Sequence, residues 1–203
     1  MATLRLNGGG VGSSGGIRTV GWRLTKTVVL VGMMGAGKTA VGTALARLLG
    51  VPFVDCDDEI VKAANLSIPE IFERYGEAFF RRKESLVLRR LLEDTPIILS
   101  TGGGAFMSAE NRDLIGGSGI SVWLRADLDL LWQRVRHKSS RPLLRTANPK
   151  ETLRGLLVMR EPTYALADLL VNARENISIE EMAETVRTAL LARPDIILQE
   201  DRV

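Results

Sequence analysis

The chain has 203 residues, of which 45% are hydrophobic and 25% charged, so it is long enough for one well-cored domain and short for two. Its net charge is +3 and its basic residues are interleaved with acidic ones, which argues against a nucleic-acid partner. No apolar stretch approaches the roughly 20 residues that cross a bilayer, and the single cysteine excludes an internal disulfide. We expect a cytoplasmic protein that binds neither nucleic acid nor membrane.

The first two dozen residues differ in composition from the rest of the chain. They contain the run GGGVGSSGG, and no acidic residue occurs before Asp55. Organelle transit peptides share this basic, acid-free composition, but the amphipathic pattern of such peptides is missing. We therefore predict a disordered extension over residues 1–24 and a single domain over 25–203.

The dominant motif is GMMGAGKT at 32–39, which fits the phosphate-binding pattern G-x-x-x-x-G-K-[ST] at every fixed position. A β-branched apolar run at 27–31 precedes it, and apolar residues at helical spacing follow it. Glycines allow successive backbone N–H groups to converge on phosphate oxygens at a helix N-terminus. Lys38 would then reach the β- and γ-phosphates, and the Thr39 hydroxyl would ligate Mg²⁺. The expected ATP-binding residues of this stretch are Gly35, Ala36, Gly37, Lys38, Thr39 and Ala40.

A cluster of acids follows the next predicted strand. Asp55 and Asp57 lie two apart, so on an extended chain their side chains point the same way. Ligands of open parallel sheets bind beyond the carboxyl ends of the strands, so one carboxylate could hold magnesium and the other a substrate hydroxyl. Alternatively these acids cap the following helix, predicted over residues 59–64, a role that suits Asp57 or Asp58 and leaves Asp55 unexplained.

Strands and helices alternate along the rest of the chain. Apolar runs at 96–101, 120–124 and 169–171 predict buried strands, and capping boxes at Ser67 and Ser178 mark the starts of two helices. Alternation through five cycles predicts an α/β fold, with a five-stranded parallel sheet and helices on both faces.

Two irregular stretches indicate ligand contacts. A glycine triple at 102–104 directly follows a core strand, where it lets the backbone come close to a ligand. The segment at about 138–148, KSSRPLLRTAN, is basic and aperiodic, and long for an ordinary connector. We expect it to form a mobile lid that closes over phosphates.

Together these motifs resemble the shikimate kinases, which belong to the nucleoside-monophosphate-kinase-like P-loop enzymes. The resemblance covers roughly residues 27–193 and rests on GMMGAGKT at 32–39, DCD at 55–57, GEAFFRRKE at 76–84, GGGA at 102–105, RPLL at 141–144, and REPTY at 160–164 with AD at 167–168. It implies a three-layer P-loop NTPase fold. It also implies an ATP-dependent transferase that phosphorylates the 3-hydroxyl of shikimate, giving shikimate 3-phosphate in the chorismate and aromatic amino-acid pathway.

The resemblance also assigns roles at the acceptor side. Asp57 contacts the substrate hydroxyls, and Gly103 offers its backbone to the substrate. Arg81 and Arg160 clamp the shikimate carboxylate, which suits the planar fork of arginine. Asp55 helps to hold magnesium.

At the nucleotide side, the resemblance implies that Arg141 of the lid reaches the ATP phosphates. Arg174, after the last predicted strand, is a candidate for contact with the adenine. The catalytic set is then Lys38, Asp57 and Arg141, with Thr39 and Asp55 at the metal, and family analogy suggests a monomer.

Two other functions stay open at this stage. One is another small-molecule or nucleotide kinase of the same fold, such as gluconate kinase or adenylate kinase, although Arg81 and Arg160 beside a glycine triple suit a small carboxylate. The other is a nucleotide-binding regulator that has lost the chemistry. Such a protein should lack Lys38, Asp55, Asp57 or an arginine of the clamp, and all of them are present.

Overall fold

A computed structural model describes residues 19–137, 142–144 and 146–202. The strands are β1 (Thr19–Leu24), β2 (Thr27–Val31), β3 (Phe53–Asp55), β4 (Ile98–Ser100), β5 (Gly119–Arg125), β6 (Leu169–Asn172) and β7 (Ile197–Arg202). The helices are α1 (Lys38–Leu49), α2 (Cys56–Ala64), α3 (Ile68–Glu93), α4 (Ala109–Ser118), α5 (Leu128–Val135), α6 (Pro149–Tyr164) and α7 (Ile179–Leu191). Short 3₁₀ turns occupy Ala105–Met107 and Pro142–Leu144.

Five strands form one parallel sheet in the order β3-β4-β2-β5-β6, which confirms the predicted architecture. β2 lies at its centre with every residue buried, and β4 is also fully buried. Such strands read as continuous apolar runs because helices cover both faces of the sheet.

The order of the strands places the binding crevice. From β2 the chain winds outward to β3, returns to β4 beside β2, and then crosses to β5 on the other side. Ligands of such sheets bind where the winding reverses, beyond the carboxyl ends of the strands. The phosphate-binding motif, the acid cluster and the glycine triple each follow a strand at that same edge.

The N-terminal boundary of the domain differs from the prediction. β1 pairs antiparallel with β7, from Thr19 opposite Arg202 to Leu24 opposite Ile197, so the predicted extension is wrong over its last six residues. Leu24 and Ile197 are buried in the core, which joins this two-stranded sheet to the domain. Residues 1–18 lie outside the described residues.

Part of the predicted lid also lies outside the residues that the structure describes. Residues 138–141 and 145, and with them Arg141, are not described, so both the lid and the role of Arg141 stay predictions. In the described part of the chain, no helix is long and apolar enough to cross a membrane.

Helix α3 contains a break that directs its second half. The Ser67 capping box forms as predicted, with Glu70, and the one at Ser178 forms with Glu181. At Gly76 the backbone leaves helical geometry, with φ 76° and ψ 173°, before the helix continues. The residues after this break, including Arg81 and Glu84, therefore follow a new axis.

We expect Gly76→Ala to destabilise the protein, although the added methyl group would meet no atom within 4 Å. The backbone conformation at Gly76 is almost closed to residues with a Cβ, which costs about 1–3 kcal/mol. The free energy of unfolding in urea measures this loss. The matched control is Gly155→Ala in α6, which also meets open space but in a regular helix. The free energy of unfolding of this control should rise by up to about 1 kcal/mol. Equal effects of the two changes would contradict a backbone constraint at Gly76.

Candidate active site

The loop between β2 and α1 has a backbone that requires glycine. Gly32, Gly35 and Gly37 have φ values of 136°, 86° and 97°. A Cβ at Gly32 would lie 2.7 Å from the Leu124 carbonyl oxygen, and one at Gly35 would lie 2.8 Å from Val135. Tight packing and positive φ together hold the loop against the N-terminus of α1, which is a favourable place for a phosphate.

Lys38 lies across this loop. Its ammonium group donates to the carbonyl oxygens of Gly32 at 2.8 Å and Met33 at 3.1 Å, and the residue is 9% exposed. It borders a cleft of about 760 Å³. The predicted site residues that line this cleft are Gly35, Ala36, Gly37, Lys38, Thr39, Ala40, Asp55, Asp57, Gly103 and Arg174.

Thr39 and Asp55 meet in the lining of the cleft. The Thr39 hydroxyl donates to Asp55 Oδ2 at 2.8 Å, and Ser100 Oγ lies 3.5 Å from it. Asp55 also caps α2, because its Oδ1 accepts from the Asp57 N–H at 3.0 Å. The predicted assignment of this cap to Asp57 or Asp58 is therefore wrong, since the helix begins earlier than expected, at Cys56.

These two side chains fit a hard cation such as Mg²⁺, which prefers hydroxyl and carboxylate oxygens. The described residues contain no group of three or more His, Cys, Asp or Glu side chains that could hold a metal ion. A site with few protein ligands is typical of Mg²⁺, because phosphates and water complete its octahedral shell.

A second group of charged side chains surrounds the glycine triple. We call Asp57, Arg81, Glu84 and Arg160 the acid–arginine cluster. Arg81 Nη1 donates to Glu84 Oε2 at 2.8 Å, and its guanidinium lies 2.6 Å from the position of a Cβ at Gly104. Any side chain at residue 104 would therefore displace Arg81.

Glu84 is the member of this cluster that sequence reasoning did not select. Its side chain is 1% exposed, and within the described structure its Oε1 has no hydrogen-bond partner. Burial raises the pKa of this carboxyl, and the nearby Arg81 offsets the shift only in part. The available signal was its spacing of three from Arg81, which puts both residues on one helix face.

Asp57 and Glu84 converge on Gly102. A Cβ at Gly102 would lie 3.0 Å from Asp57 Oδ1 and 3.1 Å from Glu84 Oε1. Two carboxylates at one glycine form an acceptor-rich wall, which suits a ligand that carries hydroxyl groups.

Helix α6 reaches the glycine triple from the other side. Arg160 Nη1 donates to the Gly103 carbonyl oxygen at 3.2 Å, and the Tyr164 hydroxyl donates to the same oxygen. Tyr164 is completely buried and its ring stacks on Trp123, with 6.0 Å between centroids. Burial raises the pKa of Tyr164 to about 12, so its hydroxyl keeps its proton at physiological pH.

Gly103 joins the two regions. A Cβ there would lie 3.6 Å from Arg160 Nη1 and equally far from the Gly32 carbonyl oxygen of the phosphate loop. The predicted residues Asp57, Arg81, Gly103 and Arg160 are thus brought together beside the loop, and Arg174 lies along the same cleft. Sequence reasoning also missed Arg134, whose Nη1 donates to the Gly35 and Ala36 carbonyl oxygens at 3.3 and 3.4 Å.

Known proteins share this chain's sequence and structure. The protein-family model "Shikimate kinase" matches residues 34–191. A shikimate kinase from Cereibacter sphaeroides is 64% identical over 89% of this chain and 90% of its own length, and one from Ruegeria pomeroyi is 62% identical over 86% and 89%. The solved structure of a shikimate kinase from Acinetobacter baumannii in complex with shikimate is 39% identical, with a TM-score of 0.78 over 82% of this chain and 93% of that chain. This chain belongs to the shikimate kinase family.

Proposed function

We propose that this protein transfers the γ-phosphoryl group of ATP to the 3-hydroxyl of shikimate, giving shikimate 3-phosphate and ADP. The observation that carries the proposal is the position of Gly103 between the two halves: its carbonyl oxygen accepts from Arg160, and a Cβ on it would lie 3.6 Å from the Gly32 carbonyl oxygen of the phosphate loop. A phosphate held by the loop and a carboxylate held by the arginines then lie on either side of one residue. A small acceptor that carries a carboxylate and hydroxyl groups fits this arrangement.

The nucleotide half supplies positioning and charge. Backbone N–H groups of the loop and the N-terminus of α1 bind the phosphates, and Lys38 places a positive charge beside the transferred group. Phosphoryl transfer needs little covalent chemistry from the protein, so this electrostatic arrangement is the main contribution. Mg²⁺ held by Thr39 and Asp55 would neutralise charge on the β- and γ-phosphate oxygens when bound.

The acceptor half supplies orientation. Arg81 and Arg160 bind the shikimate carboxylate, since a guanidinium matches a carboxylate with two parallel hydrogen bonds. Asp57 accepts a hydrogen bond from the reacting hydroxyl, which directs the oxygen lone pair at the phosphorus. In a loose transition state the proton leaves the hydroxyl late. The larger role of Asp57 is therefore to orient the hydroxyl, and the smaller one is to remove its proton.

Several expectations from the sequence belong to this proposal. Arg141 closes over the ATP phosphates from the lid, and Arg174 contacts the adenine. The enzyme works as a monomer in the cytoplasm. The roles of Arg141 and Arg174 and the monomeric state rest on the family resemblance, the cytoplasmic location rests on the composition of the chain, and all of them stay predictions.

The acceptor decides between this function and its alternatives. We expect ADP release from ATP and Mg²⁺, followed in a coupled assay, to depend on shikimate and to stay at the background rate with gluconate, AMP or no acceptor. Turnover of gluconate or AMP without turnover of shikimate would contradict the proposal. ATP binding without turnover of any acceptor would instead favour a regulator that has lost the chemistry.

We expect Arg160→Leu to weaken shikimate binding and to leave ATP binding nearly unchanged. Loss of a charge-assisted hydrogen bond to the carboxylate costs about 1.5–3 kcal/mol, or roughly 10- to 150-fold in Kd. Titration calorimetry with each ligand separately measures both affinities. The control is Arg154→Leu on the same helix, whose side chain forms an exposed ion pair with Glu151, and it should change neither affinity. Equal losses of shikimate and ATP affinity in Arg160→Leu would refute its assigned role.

A further inference from the structure

The turn that follows β4 has every carbonyl group occupied by a donor from the protein. We call residues 102–107 the glycine turn. The carbonyl oxygens of Gly102 and Gly104 accept backbone N–H groups within the turn, at 3.1 and 3.0 Å. The other four accept side-chain donors from α4 and α6, and these donors are Tyr164 and Arg160 on Gly103, Asn111 on Ala105, and Arg112 on Phe106 and Met107.

The anchor from α6 is rigid. Tyr164 is completely buried, its ring stacks on Trp123, and its hydroxyl also lies 4.0 Å from the Met33 sulfur. A buried phenol ring in fixed packing has little rotamer freedom, so its hydroxyl holds the Gly103 carbonyl in one direction. Arg160 holds this carbonyl less firmly than Tyr164 does, because under the proposed function its guanidinium also binds the substrate.

The anchor from α4 binds the carbonyl groups of residues 105–107, at the C-terminal end of the turn. Arg112 Nη1 donates to the carbonyl oxygens of Phe106 at 2.8 Å and Met107 at 2.9 Å. Asn111, which is fully buried, donates to the Ala105 carbonyl oxygen at 2.9 Å. Both residues lie in the first turn of α4, whose start is fixed by the Ser108 cap.

A fixed carbonyl fixes the N–H group that follows it. The peptide bond is planar and trans, so the Gly103 C=O and the Gly104 N–H point in opposite directions within one rigid plane. Gly104 is also the residue against which the Arg81 guanidinium packs. Orienting the Gly103 carbonyl therefore orients an N–H donor beside the acceptor half of the site.

We propose that Tyr164 and Arg112 are positioning residues that hold the glycine turn so that its backbone N–H groups meet the carboxylate of the acceptor. Without these anchors a turn with three consecutive glycines can adopt many conformations, and the substrate has to select the productive one. The free-energy cost of ordering the turn weakens binding of the acceptor and not binding of ATP, because the phosphate loop is held by its own packing. The inference rests on the proposed function, since its readout is the KM for shikimate.

The first test is Tyr164→Phe, which keeps the ring and its stacking and removes only the hydroxyl. Loss of one hydrogen bond corresponds to roughly a fivefold to tenfold change in an equilibrium constant. We expect the KM for shikimate to rise by about this factor, and kcat and the KM for ATP to stay within about twofold. The matched control is Ser121→Ala, which removes another buried hydroxyl. This hydroxyl donates to Asp168 Oδ2 at 2.6 Å and, within the described residues, forms no hydrogen bond with the glycine turn. This control should lower the melting temperature without changing the KM for shikimate.

The second test is Arg112→Met, which keeps the length and apolar stem of the side chain. We expect the same selective rise in the KM for shikimate. Its control is Arg89→Met. Arg89 of α3 forms an exposed ion pair with Glu110 of α4, the helix that also carries Arg112, and within the described residues it forms no hydrogen bond or ion pair with the glycine turn. An unchanged KM for shikimate in Tyr164→Phe and Arg112→Met, or a parallel rise in both KM values, would overturn the inference. A wild-type protein that turns over ATP with another acceptor alone would instead refute the proposed function, and the positioning of a shikimate carboxylate with it.

Discussion

Close approach of glycine backbone at the carboxyl edge of the sheet brings the two halves of the site together. A side chain at Gly32 would overlap the Leu124 carbonyl, and one at Gly104 would overlap the Arg81 guanidinium. The absent Cβ of Gly32 lets the phosphate loop pack against β5, and the absent Cβ of Gly104 lets Arg81 reach the glycine turn. The parallel pairing of β2 with β4 places the loop and the turn on neighbouring strands. The parallel sheet brings the loop and the turn together, and the glycines leave room for the side chains of α3 and α6 to contact the turn.

Charge balance explains how the acceptor half stays folded before a ligand arrives. Two arginines and two acids form the acid–arginine cluster, so its buried charges are compensated within the protein. Arg81 shares its guanidinium between Glu84, which is buried, and Glu77, whose side chain is 67% exposed. An exposed ion pair contributes only about 0–1 kcal/mol, so an incoming carboxylate can replace Glu77 at small cost while Glu84 keeps Arg81 in place.

Local patterns in the sequence were sufficient for much of this structure. The phosphate loop, the five parallel strands and both capping boxes follow from residues within about ten positions of each other, and each was predicted. The pairing of β1 with β7 was missed because the partners are at opposite ends of the chain and neither carries a strong strand pattern. The start of α2 was placed too late because Asp55 was assigned to the strand and the metal alone, whereas it also caps the helix.

The residues missed at the site owe their roles to tertiary contacts, although Glu84 and Tyr164 are the last residues of the GEAFFRRKE and REPTY motifs. Glu84 gains its importance from burial beside Asp57, and Tyr164 from a hydroxyl that reaches a carbonyl 61 positions away in sequence. Arg134 contacts the phosphate loop from α5, again across a long separation in sequence. Spacing on a helix indicates which residues share a face, but not which part of the fold that face meets.

The most direct measurement is a crystal structure of the protein with shikimate, ADP and Mg²⁺ bound. We predict that the shikimate carboxylate lies between Arg81, Arg160 and the N–H groups of the glycine turn, with the 3-hydroxyl beside Asp57 and directed at the phosphate loop. The diphosphate should lie on that loop, next to Lys38. Shikimate bound away from the acid–arginine cluster, or turned so that its carboxylate meets the phosphate loop, would contradict the claim that these two regions form one site for phosphoryl transfer.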